Sequence, residues 1–493
     1  MNRIWKYLVG LVAVPSLLFG ATQVERESRF YQLETYPLPT DLKLEVSGLA
    51  LMPDGRVAVA IRKGEVWLLE HADEPQKTQF SQFASGLHEP LGLAFHDGDL
   101  YTVQRTELTR LRDLNMDGRA DEYLTVAKGW GVTGNYHEYA YGPEFDLDGN
   151  AWITLNCSIG AGSRPSDNHW RGWSMRVTPE GQLQPISGGF RSPSGLGSNL
   201  NGDIFATDQQ GNWFPTCCLI HVRPGVFHGH ADALAFTGLP GATFQIDQPL
   251  PKNLTVVEAA RQIGPYELPA IWFPYRKMGM SATDVLCDTT QGGFGPFAGQ
   301  LFVGEFTQSF VTRVFLEQIN GVYQGACFRF REGLQSAALR LGWGPRGGLL
   351  VGQSNRGWNS LGSRSFGLQR IQPIGEMPFE IKTMEALSDG FRLTFTLPVS
   401  RRSAEKEGRY SLSSYTYPYH SSYGGEEVEK RELNVAKVSV SDDQMAVKIQ
   451  VEGLREGFVH ELELKEFVSE SGVSLLHPQA YYTLNQIPLD SGR

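Results

Sequence analysis

Acidic and amide side chains cluster in the segment DLNMDGRADEY, where their spacing suits a calcium ion. Four oxygen ligands stand two, two and four residues apart, namely Asp113, Asn115, Asp117 and Asp121. Gly118 permits the sharp turn that such a loop needs, although the twelfth position lacks the glutamate of an EF-hand. The sequence therefore predicts a Ca²⁺ site here, and an Asx-rich solvated hairpin loop is the alternative.

Histidines supply a second group of candidates. His137, in GNYHEYAYGP, directly precedes an alternating strand, and a histidine on a loop that reaches a ligand can act as a general base. His221, His228 and His230 lie close together, and the last two have the His-x-His spacing of some metal sites. No third or fourth ligand stands nearby in the sequence, so this group is interpreted as structural.

The third candidate is the stretch RSPSGLGSNLNGDIFATDQQGNW. Its short apolar run is bounded by turn residues, which predicts an inner strand followed by a loop that enters a channel. That loop combines a cation, amide donors and an aromatic ring, the groups that bind a flat anionic molecule. They are Arg191, Gln209, Gln210, Asn212 and Trp213.

These candidates lie within a repeated pattern of an apolar cluster, a turn and an alternating strand. The pattern occurs six times, as in GLALMPDGRVAVAI and PSGLGSNLNGDIFATD. Its turn glycines are spaced by 43, 51, 53, 97 and 48 residues: Gly55, Gly98, Gly149, Gly202, Gly299 and Gly347. This period is typical of the blades of a propeller, in which stacked four-stranded sheets bury each other's faces. The long interval could hold a seventh blade or an insertion, and its Pro-rich irregularity favours an insertion.

The composition changes near Met377, where glycine becomes rarer and charged runs such as RRSAEKEGR appear. Clean alternation in FRLTFTL and MAVKIQV predicts a small β-sandwich similar to immunoglobulin or fibronectin modules. The predicted fold is all-β, with a six-bladed β-propeller over residues 40–375 and a C-terminal β-sandwich over 376–488. A structural or docking role is expected for the sandwich.

Overall composition excludes several classes of protein. The 493 residues are 41% hydrophobic and 20% charged, with a net charge of −10, which is typical of an ordered globular chain without a nucleic-acid-binding face. Residues 1–21 have basic residues before a short apolar run and predict a cleaved signal peptide. No transmembrane segment is expected in the mature chain, and a periplasmic or secreted bacterial protein is predicted.

Five cysteines are too few and too scattered for a disulfide framework: Cys157, Cys217, Cys218, Cys287 and Cys327. An oxidising compartment would permit one or two bridges. Cys217 and Cys218 could form a strained vicinal ring, but two independent buried residues are the favoured interpretation.

The segments RSPSGL and DIFATDQQGNW together resemble the pattern RNPQGL…LYxSEQG of the soluble quinoprotein glucose, aldose and sorbosone dehydrogenases. The resemblance is closer still to the exported bacterial chains named "putative membrane-bound dehydrogenase", and it covers roughly residues 46–371. It implies a six-bladed propeller that binds pyrroloquinoline quinone (PQQ) and Ca²⁺. Ser192 stands where the family has asparagine, and His137 is nearer to its Gly-Pro pair than the family's catalytic histidine.

Residue by residue, the resemblance makes Arg191 the arginine at the quinone oxygens and His137 the catalytic base. It places Gln210 and Gly211 near the cofactor and the metal. The chemistry of the residues themselves adds Asn212 on the same loop, and Arg276, Lys277 and Arg356 on what should be the same face, as groups that could bind the cofactor's carboxylates. The predicted reaction is oxidation of a sugar or related alcohol, with electrons leaving to a separate acceptor such as a cytochrome or a quinone. Two alternatives stay open, a non-catalytic propeller that binds a carbohydrate or peptide and a Ca²⁺-dependent lactonase-type hydrolase.

Overall fold

The computed structural model describes residues 21–160 and 169–489. Apart from its last position, the predicted signal peptide lies outside the described residues. Strands dominate the described ranges, so the all-β prediction is confirmed. The helices are short: α1 (Gln23–Glu27), α2 (Val256–Gln262), α3 (Arg401–Ala404) and the 3₁₀ helices Pro75–Lys77, Ala231–Phe236 and Glu407–Arg409.

Six groups of four antiparallel strands form the blades of a propeller, and their first strands line its axis. Each first strand packs against the first strands of the neighbouring blades, and the last blade packs against the first, which closes the ring.

The strands of blades 1 to 3 are given in order from the axis outward. Blade 1 contains β2 (Val46–Leu51), β3 (Val57–Ile61), β4 (Glu65–Glu70) and β5 (Gln79–Ala84). Blade 2 contains β6 (Ala94–His96), β7 (Asp99–Val103), β8 (Glu107–Arg112) and β9 (Glu122–Lys128). Blade 3 contains β10 (Ala140–Phe145), β11 (Ala151–Leu155), β12 (Trp173–Val177) and β13 (Leu183–Gly188).

The other three blades follow in the same order. Blade 4 contains β14 (Gly195–Ser198), β15 (Ile204–Asp208), β16 (Cys217–His221) and β18 (Ile271–Phe273). Blade 5 contains β19 (Ala282–Cys287), β20 (Leu301–Glu305), β21 (Phe310–Ile319) and β22 (Val322–Arg331). Blade 6 contains β23 (Ala338–Trp343), β24 (Leu349–Ser354), β25 (Phe366–Pro373) and, from the start of the chain, β1 (Tyr31–Thr35).

The predicted turn glycines each join the first and second strands of one blade. All six have positive φ angles between 75° and 89°, which glycine adopts at little cost because it lacks a Cβ. The repeat analysis therefore located every blade. One detail was wrong, because the apolar run DIFATD is the second strand of blade 4 and the inner strand is Gly195–Ser198.

The long interval between repeats is an insertion in blade 4, as favoured from the sequence. It lies between β16 and β18 and contains Ala231–Phe236, β17 (Leu254–Thr255) and α2. Thr255 caps α2, because its side chain accepts from the Glu258 amide while the Glu258 carboxylate accepts from the Thr255 amide.

The C-terminal domain is a sandwich of two antiparallel sheets, which confirms that prediction. One sheet contains β26 (Ile381–Leu387), β27 (Gly390–Phe395), β32 (Ala446–Glu452) and β31 (Asn434–Val440). The other contains β34 (Gln479–Leu484), β33 (Phe458–Leu464), β28 (Tyr410–Thr416) and β30 (Val428–Glu432).

The sandwich is continuous with the propeller through backbone pairing. Strand β34 pairs with β22, so one sheet of the sandwich extends blade 5 to eight strands. The short strand β29 (Pro418–Tyr419) pairs with β17 in the blade 4 insertion. Ala326 and Phe328 of β22 also enter the core of the sandwich. The second domain is therefore attached to two blades over a broad interface.

All five cysteines are buried and carry free thiols. Cys217 and Cys218 are consecutive residues of β16 whose side chains are independent of each other, as favoured from the sequence. Burial raises the pKa of Cys217 to about 12, so that its thiol stays protonated near neutral pH.

Candidate functional site

The two ends of the propeller carry different loops. Because the strands of a blade are antiparallel, the loops before each first strand lie at the same end as the loops between second and third strands. We call this end the mouth. It carries six candidates proposed from the sequence, His137, Arg191, Gln210, Asn212, Lys277 and Arg356, whereas the predicted calcium loop lies at the opposite end.

Two arginines and a glutamate form an ionic cluster at the mouth. Glu89 pairs with Arg62 at 2.9 Å through one carboxylate oxygen and with Arg105 through the other. Both guanidinium groups also lie over the ring of Tyr139, with Cζ at 5.0 Å and 4.7 Å from its centroid. The cluster carries a surplus of positive charge and joins loops from blades 1, 2 and 3.

His137 stands on the loop that Arg105 holds in place. Arg105 donates to the carbonyl oxygens of Asn135 and Tyr136, at 3.3 and 2.9 Å. Partial burial lowers the pKa of His137, and the positive charges of Arg191 and Arg105 lower it further. The imidazole is therefore neutral near pH 7 and can accept a proton.

Arg191 is buried beside the loop that follows β15. Its guanidinium donates to the carbonyl oxygen of Gln210 at 3.2 Å, and its backbone amide donates to Asp208 at 2.7 Å. Its Nε is buried and has no hydrogen-bond partner among the described residues. A Cβ at position 211 would lie 1.9 Å from this Nε, so Gly211 is required for the arginine to pack here.

The C-terminal domain covers one side of the mouth with a loop over residues 420–424. The Asn212 amide donates to the Ser421 carbonyl at 2.7 Å, and the Gly424 amide donates to the Gly211 carbonyl at 3.0 Å. Tyr423 is 62% exposed and lies over the Arg191 guanidinium. Two of the predicted cofactor-binding residues, Gly211 and Asn212, therefore contact the second domain, a relationship that no local sequence pattern indicated.

Gln210, Lys277 and Arg356 are also occupied by other parts of the chain. The Gln210 side chain donates to the Pro215 carbonyl at 2.9 Å. Lys277 forms ion pairs at 2.6 Å with Glu427 and Glu461 of the C-terminal domain. Arg356 pairs with Glu45 at 2.8 Å and keeps a side chain that is 46% exposed. The structure therefore groups Arg191 with His137 and Arg105, and it places Lys277 in the interface between domains.

The predicted calcium loop connects β8 and β9. Its side-chain oxygens accept backbone amides: Asp113 accepts from Gly118 at 2.9 Å, Asp117 from Arg119 at 2.9 Å and Asp121 from Leu114 at 2.8 Å. The described carboxylates of this loop do not form a group of three ligand atoms within 4.8 Å of one another. Calcium binding by Asp113, Asn115, Asp117 and Asp121 stays a prediction.

A cavity of about 410 Å³ occupies the axis, and it is lined by the first strands of five blades and, from blade 2, by residues 91–93 just before β6. Arg340 crosses the axis and donates to the carbonyl oxygens of Ser47 and Ser194, both at 2.9 Å. Burial raises the pKa of Glu144 to about 7 and that of Asp284 to about 6. Arg340 lies 4.0 Å from Asp284, and three clustered carboxylate ligands are not present on the described axis.

Sequence analysis missed Arg62 and Arg105, although the repeat contains a signal for them. The residue seven positions after each turn glycine lies within two residues of the point where the second strand ends and the mouth loop begins. In the first four repeats this position holds Arg62, Arg105, Asn156 and Gln209. Aligning the repeats on their glycines would have identified these polar positions together.

The residues of the mouth fit a planar tricarboxylate such as PQQ in their charge. Arg62, Arg105 and Arg191 supply positive charge, and Arg191 Nε is a buried donor without a partner among the described residues. Tyr136 and Tyr423 supply exposed aromatic surface. The fit depends on these side chains and not on Lys277 or Asn212, which the second domain already binds.

Within the described ranges, the structure contains no helix that is long and apolar enough to cross a membrane. Comparison with protein families matches residues 29–248 to a domain of unknown function (DUF7133). No curated protein matches the chain.

Three of the similar solved structures share 20, 16 and 12% identity with this chain. An oxidoreductase described as a glucose dehydrogenase from Thermus thermophilus is 20% identical, with 69% of this chain and 99% of that chain covered and a TM-score of 0.49. The PQQ-bound aldose sugar dehydrogenase from Streptomyces coelicolor is 16% identical, with 69% and 98% covered and a TM-score of 0.47. The holo PQQ domain of pyranose dehydrogenase from Coprinopsis cinerea is 12% identical, with 69% and 97% covered and a TM-score of 0.47. Solved structures similar to this chain thus include quinoprotein sugar dehydrogenases, the group that the sequence resembles.

Proposed function

We propose that this protein is an exported PQQ-dependent dehydrogenase that oxidises a sugar or related alcohol at the mouth of its propeller. The observation that carries the proposal is the buried Nε of Arg191, a donor without a partner among the described residues, at the same mouth as His137. A general base works best when it is unprotonated at the operating pH, and the neighbouring cations favour the alkoxide that forms when the base removes a hydroxyl proton.

The roles of the residues follow from their positions. Arg191, with its unpartnered Nε, would bind a carboxylate or quinone oxygen, and Arg62 and Arg105 would offset the remaining negative charge of the cofactor. When bound, PQQ supplies the acceptor for the hydride of the alcohol carbon. His137 Nδ1 or Nε2 accepts the hydroxyl proton and later releases it to solvent. Electrons then pass to a separate carrier such as a cytochrome or a quinone.

Two further parts of the proposal concern calcium and export. The carboxylates of Asp113 and Asp117 now accept hydrogen bonds from backbone amides of their loop. To bind Ca²⁺, their oxygens would have to give up these hydrogen bonds and coordinate the ion. Because this loop is at the end opposite the mouth, the ion would stabilise blade 2 without touching the substrate.

Export to the periplasm or the medium would follow cleavage of the signal peptide near residue 21.

Spectroscopic titration with PQQ tests the proposal directly. The purified mature protein, with Ca²⁺ present, should bind PQQ at micromolar concentration with a shifted quinone absorption band and should reduce an artificial dye when sugar is added. Arg191→Ala should lose both signals, since removal of a charge-assisted donor costs about 1.5 to 3 kcal/mol. Arg191→Lys should restore them only in part, because an ammonium group cannot form the guanidinium fork.

His137→Ala separates binding from chemistry. This variant should keep the shifted quinone band and lose dye reduction, because the base acts on the substrate proton. Arg346→Ala is the matched control, since Arg346 is 74% exposed and lies at the end opposite the mouth. Failure of the unaltered protein to bind PQQ at micromolar concentration would overturn the proposal and favour a non-catalytic binding propeller.

A further inference from the structure

A thiol, an imidazole and a carboxylate meet behind Arg191, in a cluster that the proposed reaction does not use. Cys157 follows β11, whereas His230 and Asp232 lie at the start of the 3₁₀ helix in the blade 4 insertion. One donor atom from each side chain lies within 4.8 Å of the other two. Cys157 Sγ is 3.5 Å from His230 Nδ1. The three donors thus come from two chain segments that are distant in sequence.

The thiol and the imidazole of this cluster are buried side by side. Cys157 is fully buried and His230 is 5% exposed. His230 Nδ1 accepts from the Asp232 amide at 3.3 Å and therefore carries no proton, and the Cys157 thiol donates to the Phe190 carbonyl at 3.0 Å. A bound metal ion would replace both of these hydrogen bonds.

The Asp232 carboxylate supplies an independent observation. The side chain is partly buried, and the described residues offer it neither a hydrogen bond nor an ion pair. A carboxylate removed from water without a partner is costly, and a cation bound between this carboxylate and the thiol would compensate its charge.

We propose that Cys157 Sγ, His230 Nδ1 and an oxygen of Asp232 bind a Zn²⁺ ion, with a fourth position open to water. One sulfur, one nitrogen and one oxygen ligand suit this borderline-soft ion, and three protein ligands with a water are a common zinc arrangement. On binding, the S–H bond of Cys157 breaks, a sulfur–zinc bond forms and the proton goes to solvent. The thiolate and the carboxylate together balance the two positive charges of the ion.

His228 does not belong to this site, although the His-x-His spacing suggested a pair. Its Nε2 lies 3.1 Å from Ser187 Oγ, and its ring packs against Phe190. The sequence singled out His230 but interpreted it as structural, and its closeness to Cys157 and Asp232 became visible only in the folded chain.

The ion would connect the blade 4 insertion to blade 3 next to the mouth. The Cys157 amide donates to the Arg191 carbonyl at 2.9 Å, so the zinc ligand and the anion-binding arginine share a backbone contact. Gly172 also packs against the sulfur, because a Cβ there would lie 2.8 Å from Cys157 Sγ. The site stabilises the wall behind Arg191 and stands independently of any cofactor at the mouth.

Cobalt substitution tests the site with a spectroscopic signal. The full mature protein, treated with a chelator and dialysed, is titrated with Co²⁺ alone and then with Zn²⁺. We expect a thiolate-to-cobalt charge-transfer band that saturates at one equivalent and disappears when Zn²⁺ displaces the cobalt. Absence of this band in the folded protein would overturn the proposal.

Variants assign the ligands. Cys157→Ser should abolish the band, and Asp232→Asn, which preserves size, should weaken Co²⁺ affinity by more than about tenfold. Cys287→Ser is the control, since this buried thiol lies in blade 5, far from the site along the chain. A band that persists in Cys157→Ser, or one that Asp232→Asn leaves unchanged in affinity, would contradict the proposed ligand set.

Discussion

The guanidinium carbon of Arg191 lies 5.4 Å from the centroid of the Tyr423 ring. Arg191 belongs to a propeller loop and Tyr423 to the C-terminal domain, so the two domains meet above the buried arginine of the mouth. The backbone of the Tyr423 loop is held by hydrogen bonds with Asn212 and Gly211 while the ring itself stays largely exposed. An exposed ring on a fixed backbone is well placed to contact a ligand that Arg191 binds.

Removal of the Tyr423 ring should weaken ligand binding without unfolding the protein. Tyr423→Ala should raise the Kd for PQQ, or the KM for substrate, by roughly threefold to tenfold, since an aromatic contact of this kind contributes about 0.5 to 1.5 kcal/mol. The melting temperature should change little because the side chain is exposed. Tyr423→Phe keeps the ring and should behave as the unaltered protein. Equal losses in both variants would show that the hydroxyl group, and not the ring, makes the contact.

Gly211→Ala should displace Arg191. A Cβ at this position would lie 1.9 Å from Arg191 Nε, and the arginine would have to leave its buried place. We expect loss of PQQ binding similar to that of Arg191→Ala in the same absorption titration. Gly238→Ala is the matched control, because a Cβ there meets nothing within 4 Å. Normal PQQ binding by Gly211→Ala would mean that Arg191 does not hold the ligand.

The pH dependence of the reaction should reflect His137. Burial and the charges of Arg191 and Arg105 lower its pKa below the ordinary value of about 6.5, so the base stays neutral until the pH falls further. The rate kcat/KM should therefore be constant near pH 7 and fall only on the acid side of about 6.5. High salt should screen the arginine charges and shift this acid-side fall in kcat/KM to higher pH. An acid-side fall that stays at the same pH as salt increases would contradict the electrostatic explanation.

Because of a buried charged cluster, the stability of the folded protein should decrease as the pH becomes alkaline. His477 Nδ1 lies 2.7 Å from Glu380 and its Nε2 lies 3.0 Å from Glu27, which also pairs with Arg331 at 3.1 Å. Burial alone would lower the pKa of His477, but the two carboxylates raise it to about 9. The resulting stability is complete below about pH 6.5 and is lost as the pH rises through about 9.

The expected change is measurable by thermal unfolding. Between pH 6.5 and 9.5 the melting temperature should fall by roughly 3 °C more in the unaltered protein than in His477→Gln. His88→Gln, which changes an exposed histidine, should retain the full dependence. Identical pH profiles for the unaltered protein and His477→Gln would refute the assignment.

Calcium at the blade 2 loop can be tested apart from catalysis. Saturating Ca²⁺ should raise the melting temperature of the unaltered protein, and Asp117→Ala should remove most of this shift because one hard ligand is lost. Asp148→Ala, at an exposed turn of blade 3, should leave the shift intact. A shift that survives in Asp117→Ala would exclude this loop as the site.

The propeller can be predicted from local sequence because each blade repeats a turn that depends only on its own residues. Gly55, Gly98 and the four equivalent glycines adopt positive φ between paired strands, and this requirement is visible in any single repeat. The same holds for the alternation of apolar residues in β27 and β32 of the sandwich. By itself, therefore, the sequence located six blade repeats and the second domain, and it favoured an insertion over a seventh blade.

Tertiary structure alone decided which side chains meet at the mouth and behind it. Tyr423 reaches Arg191, Lys277 pairs with Glu427, and Cys157 lies beside His230 because distant segments dock. Docking depends on how two domains and an insertion pack against each other as a whole. A local turn or strand pattern contains no information about these long-range contacts. For this reason the prediction of one loop was wrong, because Arg191 precedes β14 while Gln210 and Asn212 follow β15, and folding brings the two loops together.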